Sequence, residues 1–281
     1  MKQLSKFILG WVLLVAPFLA NSQVLPKSLY TTRNAWYDGN IELCLVMVDK
    51  RIEQDSITPY HYYIKSMCSY ASEDIEVGNK YARKTLGILG KTDTLWEDVY
   101  YGIAYAKAYE LNWDSAMHYI DIIKEINPHN ADAYLLQSSI YDQMKMPDSV
   151  IAELTRGVKN ANRIRDLLYN NLSYHLTQEG RFVEAISAAN LGLEIATDTF
   201  WIGSLTNNKG FAVGMNADPY LGLEIIDSSF ESLAKNPYAH YNKALLYMEL
   251  GDLDNMCQQL QKCEYHGGAF NSFDLQQKHC K

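Results

Sequence analysis

Little in this 281-residue chain supports catalysis. Its seven histidines form no HExxH and show no paired ligand spacing, so a metalloprotease-like site is excluded. There is no GxSxG elbow and no glycine loop built to cradle phosphate. Asp114-Ser115 and Asp148-Ser149 bring acid and hydroxyl together, but both pairs stand early in expected helices, where capping accounts for them. No cofactor or metal is expected. Cysteines number five, none with CxxC spacing, which excludes a redox motif or a zinc ribbon. The odd count leaves at least one thiol outside any pairing within the chain. Positive charge is short as well: 25 basic against 33 acidic side chains, a formal −8. Such a surface repels phosphate backbones and anionic headgroups, so nucleic acid is not an expected partner. Only seven prolines interrupt the chain, and 48% of it is hydrophobic, so a folded chain with an ample core is expected.

Long apolar runs are confined to the start. Lys2 and Lys6 precede an uncharged stretch from Phe7 to Ala20, and Ala20-Asn21-Ser22 follow with small side chains. This is the layout of a secretory signal peptide over residues 1–22, cleaved before Gln23. The run is short for a bilayer span and contains Pro17, and no cysteine follows closely enough for a lipid anchor. A periplasmic or secreted location is therefore expected, with no membrane span after signal removal. Loss of two lysines takes the formal charge to −10. Export also permits disulfides.

What the chain has in plenty is self-similarity. Residues 97–159 match themselves at an offset of 34, with Tyr100 on Tyr134, Asp114 on Asp148 and Ser115 on Ser149. A small or apolar landmark recurs at Cys44, Gly78, Ala116, Val150, Ala185, Gly222 and Met256, at intervals of 34, 38, 34, 35, 37 and 34. Each interval holds two apolar runs of helical period and a polar turn, such as Gly39-Asn40 or Gly180. A helix pair of this size cannot bury its own apolar stripe and must stack on a neighbour. Seven units are expected, near residues 25–58, 59–96, 97–130, 131–165, 166–202, 203–236 and 237–268. A closing helix over 269–281 follows Gly267-Gly268. Residues 23–281 would form a single all-α solenoid domain. The sixth unit is the least regular, because Gly210, Gly214 and Gly222 each weaken a helix.

The pattern resembles the tetratricopeptide repeat, a 34-residue helix pair with small residues at positions 8 and 20 and an aromatic at 11. The seventh unit carries Ala244 at 8, Tyr247 at 11 and Gly251-Asp252 at 15 and 16. The third has Ala104 at 8, Ala116 at 20 and Pro128 at 32, and the fifth has Ser173, Gly180 and Ala185. Cys44, Val150 and Met256 are larger than the usual alanine at position 20. The ending, LGDLDNMCQQLQKC through HCK, also looks like the close of secreted members in Gram-negative bacteria. The resemblance implies an α-solenoid with a right-handed superhelix, a concave groove lined by the first helix of each pair, and a protein or peptide partner in the envelope.

On that pattern the groove positions include Tyr60, Tyr63 and Tyr70 in the second unit, Tyr101, Tyr105 and Tyr109 in the third, and Tyr174 and Tyr241 further on. Tyrosine pairs a large apolar body with a polar tip, which suits a binding surface, though it also packs repeats together. Tyr63, Tyr101 and Tyr105 are expected to be partly exposed. Asn171, Asn208 and Asn242 share position 6 of consecutive units; such amides either grip a peptide backbone or bond the adjacent helix. The cations of a carboxylate clamp are absent from these positions. The expected function is a non-catalytic exported scaffold that holds a protein or peptide. The alternative is a receptor for a small ligand such as a saccharide, stacked on the tyrosines. Cys257 follows the position-20 residue Met256 and should lean toward the closing helix, so a Cys257–Cys280 disulfide is expected. Cys263 is the competing partner, and three separate thiols are the remaining possibility. Pairing of Cys44 with Cys68 stays open.

Overall fold

The computed structural model describes residues 30–54, 58–90 and 95–280, and the expected signal peptide lies outside them. Fifteen helices and no strand occur among the described residues. Fourteen come in pairs: α1 (Tyr30–Tyr37) with α2 (Ile41–Gln54), α3 (Pro59–Ala71) with α4 (Ile75–Ile88), α5 (Leu95–Tyr109) with α6 (Trp113–Ile126), α7 (Ala131–Gln143) with α8 (Pro147–Asn160), α9 (Arg165–Gln178) with α10 (Phe182–Ile195), α11 (Thr199–Asn216) with α12 (Pro219–Ser232), and α13 (Pro237–Glu249) with α14 (Leu253–Tyr265). The short α15 (Ser272–His279) closes the chain. The architecture is an all-α repeat solenoid. No helix among the described residues is long and apolar enough to cross a membrane.

Every landmark residue is the fourth residue of a second helix, and all seven are buried. The local sequence fixes this register. Asn40, Asp74, Asn112, Asp218 and Asp252 each stand four residues before a landmark and accept the backbone N–H three residues on, at 3.1–3.2 Å. Each such cap stabilises its helix by about 1 kcal/mol. The residue just before the cap position is left-handed in six of the seven turns: Gly39, Glu73, Leu111, Lys145, Gly180 and Gly251, with φ of 59–74°. Three of those six are not glycine. Leu111, exposed at φ 59°, holds a backbone shape that disfavours a β-carbon. Leu111→Gly is therefore expected to raise stability by about 0.5–1 kcal/mol, after allowance for glycine's freer unfolded chain. An unchanged or lower denaturant midpoint would show that this turn carries no such strain.

The chain divides into two compact units, residues 1–146 and 147–281, with the boundary falling between α7 and α8. In the first, Cys44 is disulfide-bonded to Cys68, tying α2 to α3 with a Cα–Cα distance of 6.5 Å. Around it pack Val48, Tyr63, Ile64, Met67, Val99 and Ile103. A second cluster joins Tyr101, Ala104, Tyr105 and Ala108 of α5 to Ala133, Leu136 and Ile140 of α7. In the second unit, Phe211, Leu223, Ile226, Ala239 and Leu246 form one cluster, and α15 adds Leu275 and Cys280 to another built on Ala244, Met256 and Leu260. Cys257 is disulfide-bonded to Cys280, with a Cα–Cα distance of 5.6 Å, and Cys263 remains a buried thiol.

Two sequence expectations change. The glycine-rich sixth unit holds the longest helix, α11, at 18 residues. Its glycines lie at the crossing with α12, where a β-carbon on Gly222 would stand 2.6 Å from the Gly214 Cα. Close packing there outweighs weak helix propensity. The closing helix begins at Ser272 rather than near 269, because Gly267, Gly268 and Phe270 are all left-handed. The Ser272 hydroxyl accepts the Ala269 N–H at 3.1 Å and donates to Glu264, which fixes the turn.

Candidate functional site

Four of the six tyrosines expected to face a groove in the first unit turn out to be packing residues. Tyr63 and Tyr101 are each 2% exposed, Tyr105 4% and Tyr70 3%, so the expectation of partial exposure for Tyr63, Tyr101 and Tyr105 is overturned. The reason is visible at Tyr70. Its ring is held between Gly78 of α4 and Gly102 of α5, where added β-carbons would come within 2.3 and 3.1 Å of it, and its hydroxyl donates to Asn79 Oδ1 at 3.0 Å. Glycine on neighbouring helices makes sockets, and tyrosine fills them. Burial raises the pKa of Tyr70 and Tyr105 above the usual phenol value. Tyr60 and Tyr109 stay half-buried. Enclosed in this way, Tyr63, Tyr70, Tyr101 and Tyr105 offer no open face for a saccharide to stack on.

The second unit is different. Its first helices α9, α11 and α13 carry a chain of asparagine contacts. Asn208 Nδ2 donates to Asn170 O and Oδ1 at 3.2 and 3.0 Å, and Asn242 Nδ2 donates to Asn207 Oδ1 at 3.1 Å. Within helices, Asn170 donates to Asn171 at 3.3 Å and Asn207 to Asn208 at 3.4 Å. Asn171, Asn208 and Asn242 are thus brought into one line across three helices. Asn208 and Asn242 each spend an N–H on the first helix of the pair before, which is the structural one of the two roles open to them.

Beside this line stand Tyr174 of α9 and Tyr238 and Tyr241 of α13. All three meet a ring that the sequence reading missed, Phe270 from the turn before α15. Phe270 stacks on Tyr174 with centroids 5.9 Å apart and planes 9° apart. It meets Tyr238 edge-on at 5.0 Å and Tyr241 at 5.4 Å. Tyr174 and Tyr241 are half-buried, and Tyr238 is 42% exposed. Burial raises the pKa of Tyr238 and Tyr241, with a smaller contribution from Cys263, so both hydroxyls stay protonated donors near neutrality. The only sequence signal for Phe270 was an aromatic two residues after a Gly-Gly pair.

On the same helix as Tyr241, buried His240 donates from Nδ1 to Gln259 Oε1 at 2.9 Å, stacks on His266 at 5.4 Å and packs on Phe230 at 4.6 Å. Burial holds its pKa below the usual imidazole value; the Gln259 bond opposes this, and His266, Lys262 and Lys243 add repulsion. The unfolded chain therefore takes the proton more readily than the fold does. Stability from this group is complete above about pH 6.5 and is lost as pH falls below that. The denaturant midpoint is expected to drop between about pH 7.5 and about pH 5.5, and His240→Gln should flatten that drop. Equal slopes for the variant and the parent would remove His240 as the source.

Comparison with known proteins agrees with this geometry. Residues 237–265, which span α13 and α14, match the tetratricopeptide repeat family. No curated protein matches the sequence. Among solved structures, a chain of the APC/C hetero-tetramer Cut9-Hcn1 is similar with TM-score 0.62 and 13% identity, covering 97% of this chain and 51% of that one. This chain thus spans about half the length of that protein. A tetratricopeptide repeat protein from Parabacteroides merdae ATCC 43184 is similar with TM-score 0.61 and 11% identity, covering 91% of this chain and 98% of its own. The C-terminal part of a TPR repeat-containing protein from Cytophaga hutchinsonii gives TM-score 0.59 and 13% identity, covering 87% and 97%. At these identities the likeness is one of fold: an all-α solenoid of helix pairs like that of tetratricopeptide repeat proteins.

Proposed function

We propose that the protein is a non-catalytic, exported tetratricopeptide-type scaffold that binds a peptide segment of a partner protein on the first-helix face of its second unit. The carrying observation is the aromatic group of Tyr174, Tyr238 and Tyr241 beside the asparagine line, with Tyr238 exposed and the other two half-buried, where Tyr63, Tyr70, Tyr101 and Tyr105 of the first unit are buried. Partly exposed tyrosines give contact area at low entropic cost, and amides beside them can bond an extended backbone. The repeat fold supports a protein-interaction role. Export rests on the signal-like start and accords with two disulfides at the outer helix pairs.

The test is affinity capture from the cell envelope with the chain beginning at Gln23, against a Tyr174→Ala/Tyr241→Ala variant whose helical spectrum matches the parent. The partner's binding segment, once captured, is expected to weaken by about 2 kcal/mol or more in the variant if the two rings are anchors. Equal affinity for both proteins would move the site elsewhere. Recovery of the chain with residues 1–22 still attached would sink the exported part of the reading alone.

A further inference from the structure

Phe270 is placed as a ligand would be. It comes from a turn outside the helix pairs, yet its ring is ringed by three tyrosines drawn from α9 and α13. A core residue with three aromatic neighbours would be enclosed, but Phe270 keeps 57% of its surface in water. The ring is docked on the face, not built into it. Its backbone is left-handed at φ 48°, a cost for any residue with a β-carbon, and Gly267 and Gly268 before it have φ of 110° and 74°. The ring is held by aromatic contacts on one side only, which a competing aromatic side chain can replace in kind. Backbone bonds hold the turn on both sides of the ring, Gly268 N–H to Cys263 O at 2.9 Å and Ser272 N–H to Ala269 O at 3.0 Å. Cys257–Cys280 fixes α15 to α14, and Ser272 is held by Glu264. The exposed Phe270 side chain can therefore leave the face by rotating about its own bonds while the end of the chain stays in place.

We propose that Tyr174, Tyr238 and Tyr241 form a receptor for an aromatic side chain, which Phe270 fills in the free protein and a partner peptide fills by displacing it. The inference rests on the peptide-binding reading above and deepens it by naming the anchor: a phenylalanine-like side chain on the bound segment. Phe270 then lowers the apparent affinity by the fraction of time it occupies the receptor.

The test uses the mature chain with carbon-13-labelled aromatic rings, titrated by N-acetyl-L-phenylalaninamide, with N-acetyl-L-leucinamide as the control. Phe270→Ala is expected to bind the phenylalanine amide about fivefold more tightly than the parent, and Tyr241→Ala added to it should abolish that gain. In the parent, the Phe270 ring resonances should lose their ring-current shift as the amide saturates. Phe270→Leu, which keeps the turn apolar, should fall between the parent and Phe270→Ala. Equal or weaker binding by Phe270→Ala, or no preference for the phenylalanine amide over the leucine amide, would overturn the proposal. Failure here with peptide capture still lost in the Tyr174/Tyr241 variant would leave the binding face standing. A gain in Phe270→Ala without any captured peptide would do the reverse.

Discussion

Gly222→Ala should destabilise the second unit by about 3 kcal/mol, although alanine is the better helix former by about 1 kcal/mol. The sign follows from what the new methyl would meet. At Gly222 it would lie 2.6 Å from the Gly214 Cα, 2.7 Å from the Gly210 carbonyl oxygen and 2.8 Å from the Gly214 nitrogen. These are backbone atoms of α11, so no side chain can rotate away and the helices must separate. Separation would loosen the cluster of Phe211, Leu223 and Ile226 that lies along the same crossing. The internal control is Gly87→Ala in α4, where a β-carbon meets nothing within 4 Å. That change should stabilise by about 0.5–1 kcal/mol. Denaturant unfolding of both variants decides the matter. A Gly222→Ala protein as stable as its parent would mean that α11 and α12 do not pack this closely in solution.

Removing the Cys257–Cys280 bond should release the end of the chain, with a loss of about 3 kcal/mol for a bridged separation of 23 residues. The bond matters more here than its size suggests. A terminal repeat has a neighbour on one side only, so it is the first part of a solenoid to fray. What covers its outer face is α15, a helix of eight residues, too short to hold its shape unaided. Leu275 and Cys280 bring it onto Ala244, Met256 and Leu260, and the disulfide keeps it there. In a Cys257→Ala/Cys280→Ala variant, amide exchange over 272–280 should approach that of an open chain while α9 keeps its protection. Exchange in the variant equal to the parent's would show that packing alone secures α15. The Cys44–Cys68 bond supplies a matching case in the first unit, joining a second helix to the following first helix.

The sequence by itself determined the repeat. The landmark from Cys44 to Met256 fell early in all seven second helices, and in five of them the Asn or Asp cap four residues before it is local chemistry written within five positions. It determined the helical class for the same reason: spacing along one chain decides which side chains share a helix face. Tertiary structure decided which side of each residue faced a neighbour. Tyr70 and Tyr241 look alike in the sequence, both tyrosines on first helices. One is buried because Gly78 and Gly102 leave it a socket, and the other stays half-open beside Phe270. The same holds for Gly210, Gly214 and Gly222, which propensity marks as helix breakers and the crossing of α11 with α12 requires. Contacts between helices depend on residues 8 to more than 90 positions apart, as from Tyr70 to Gly78 or Tyr174 to Phe270, and no local rule carries that information.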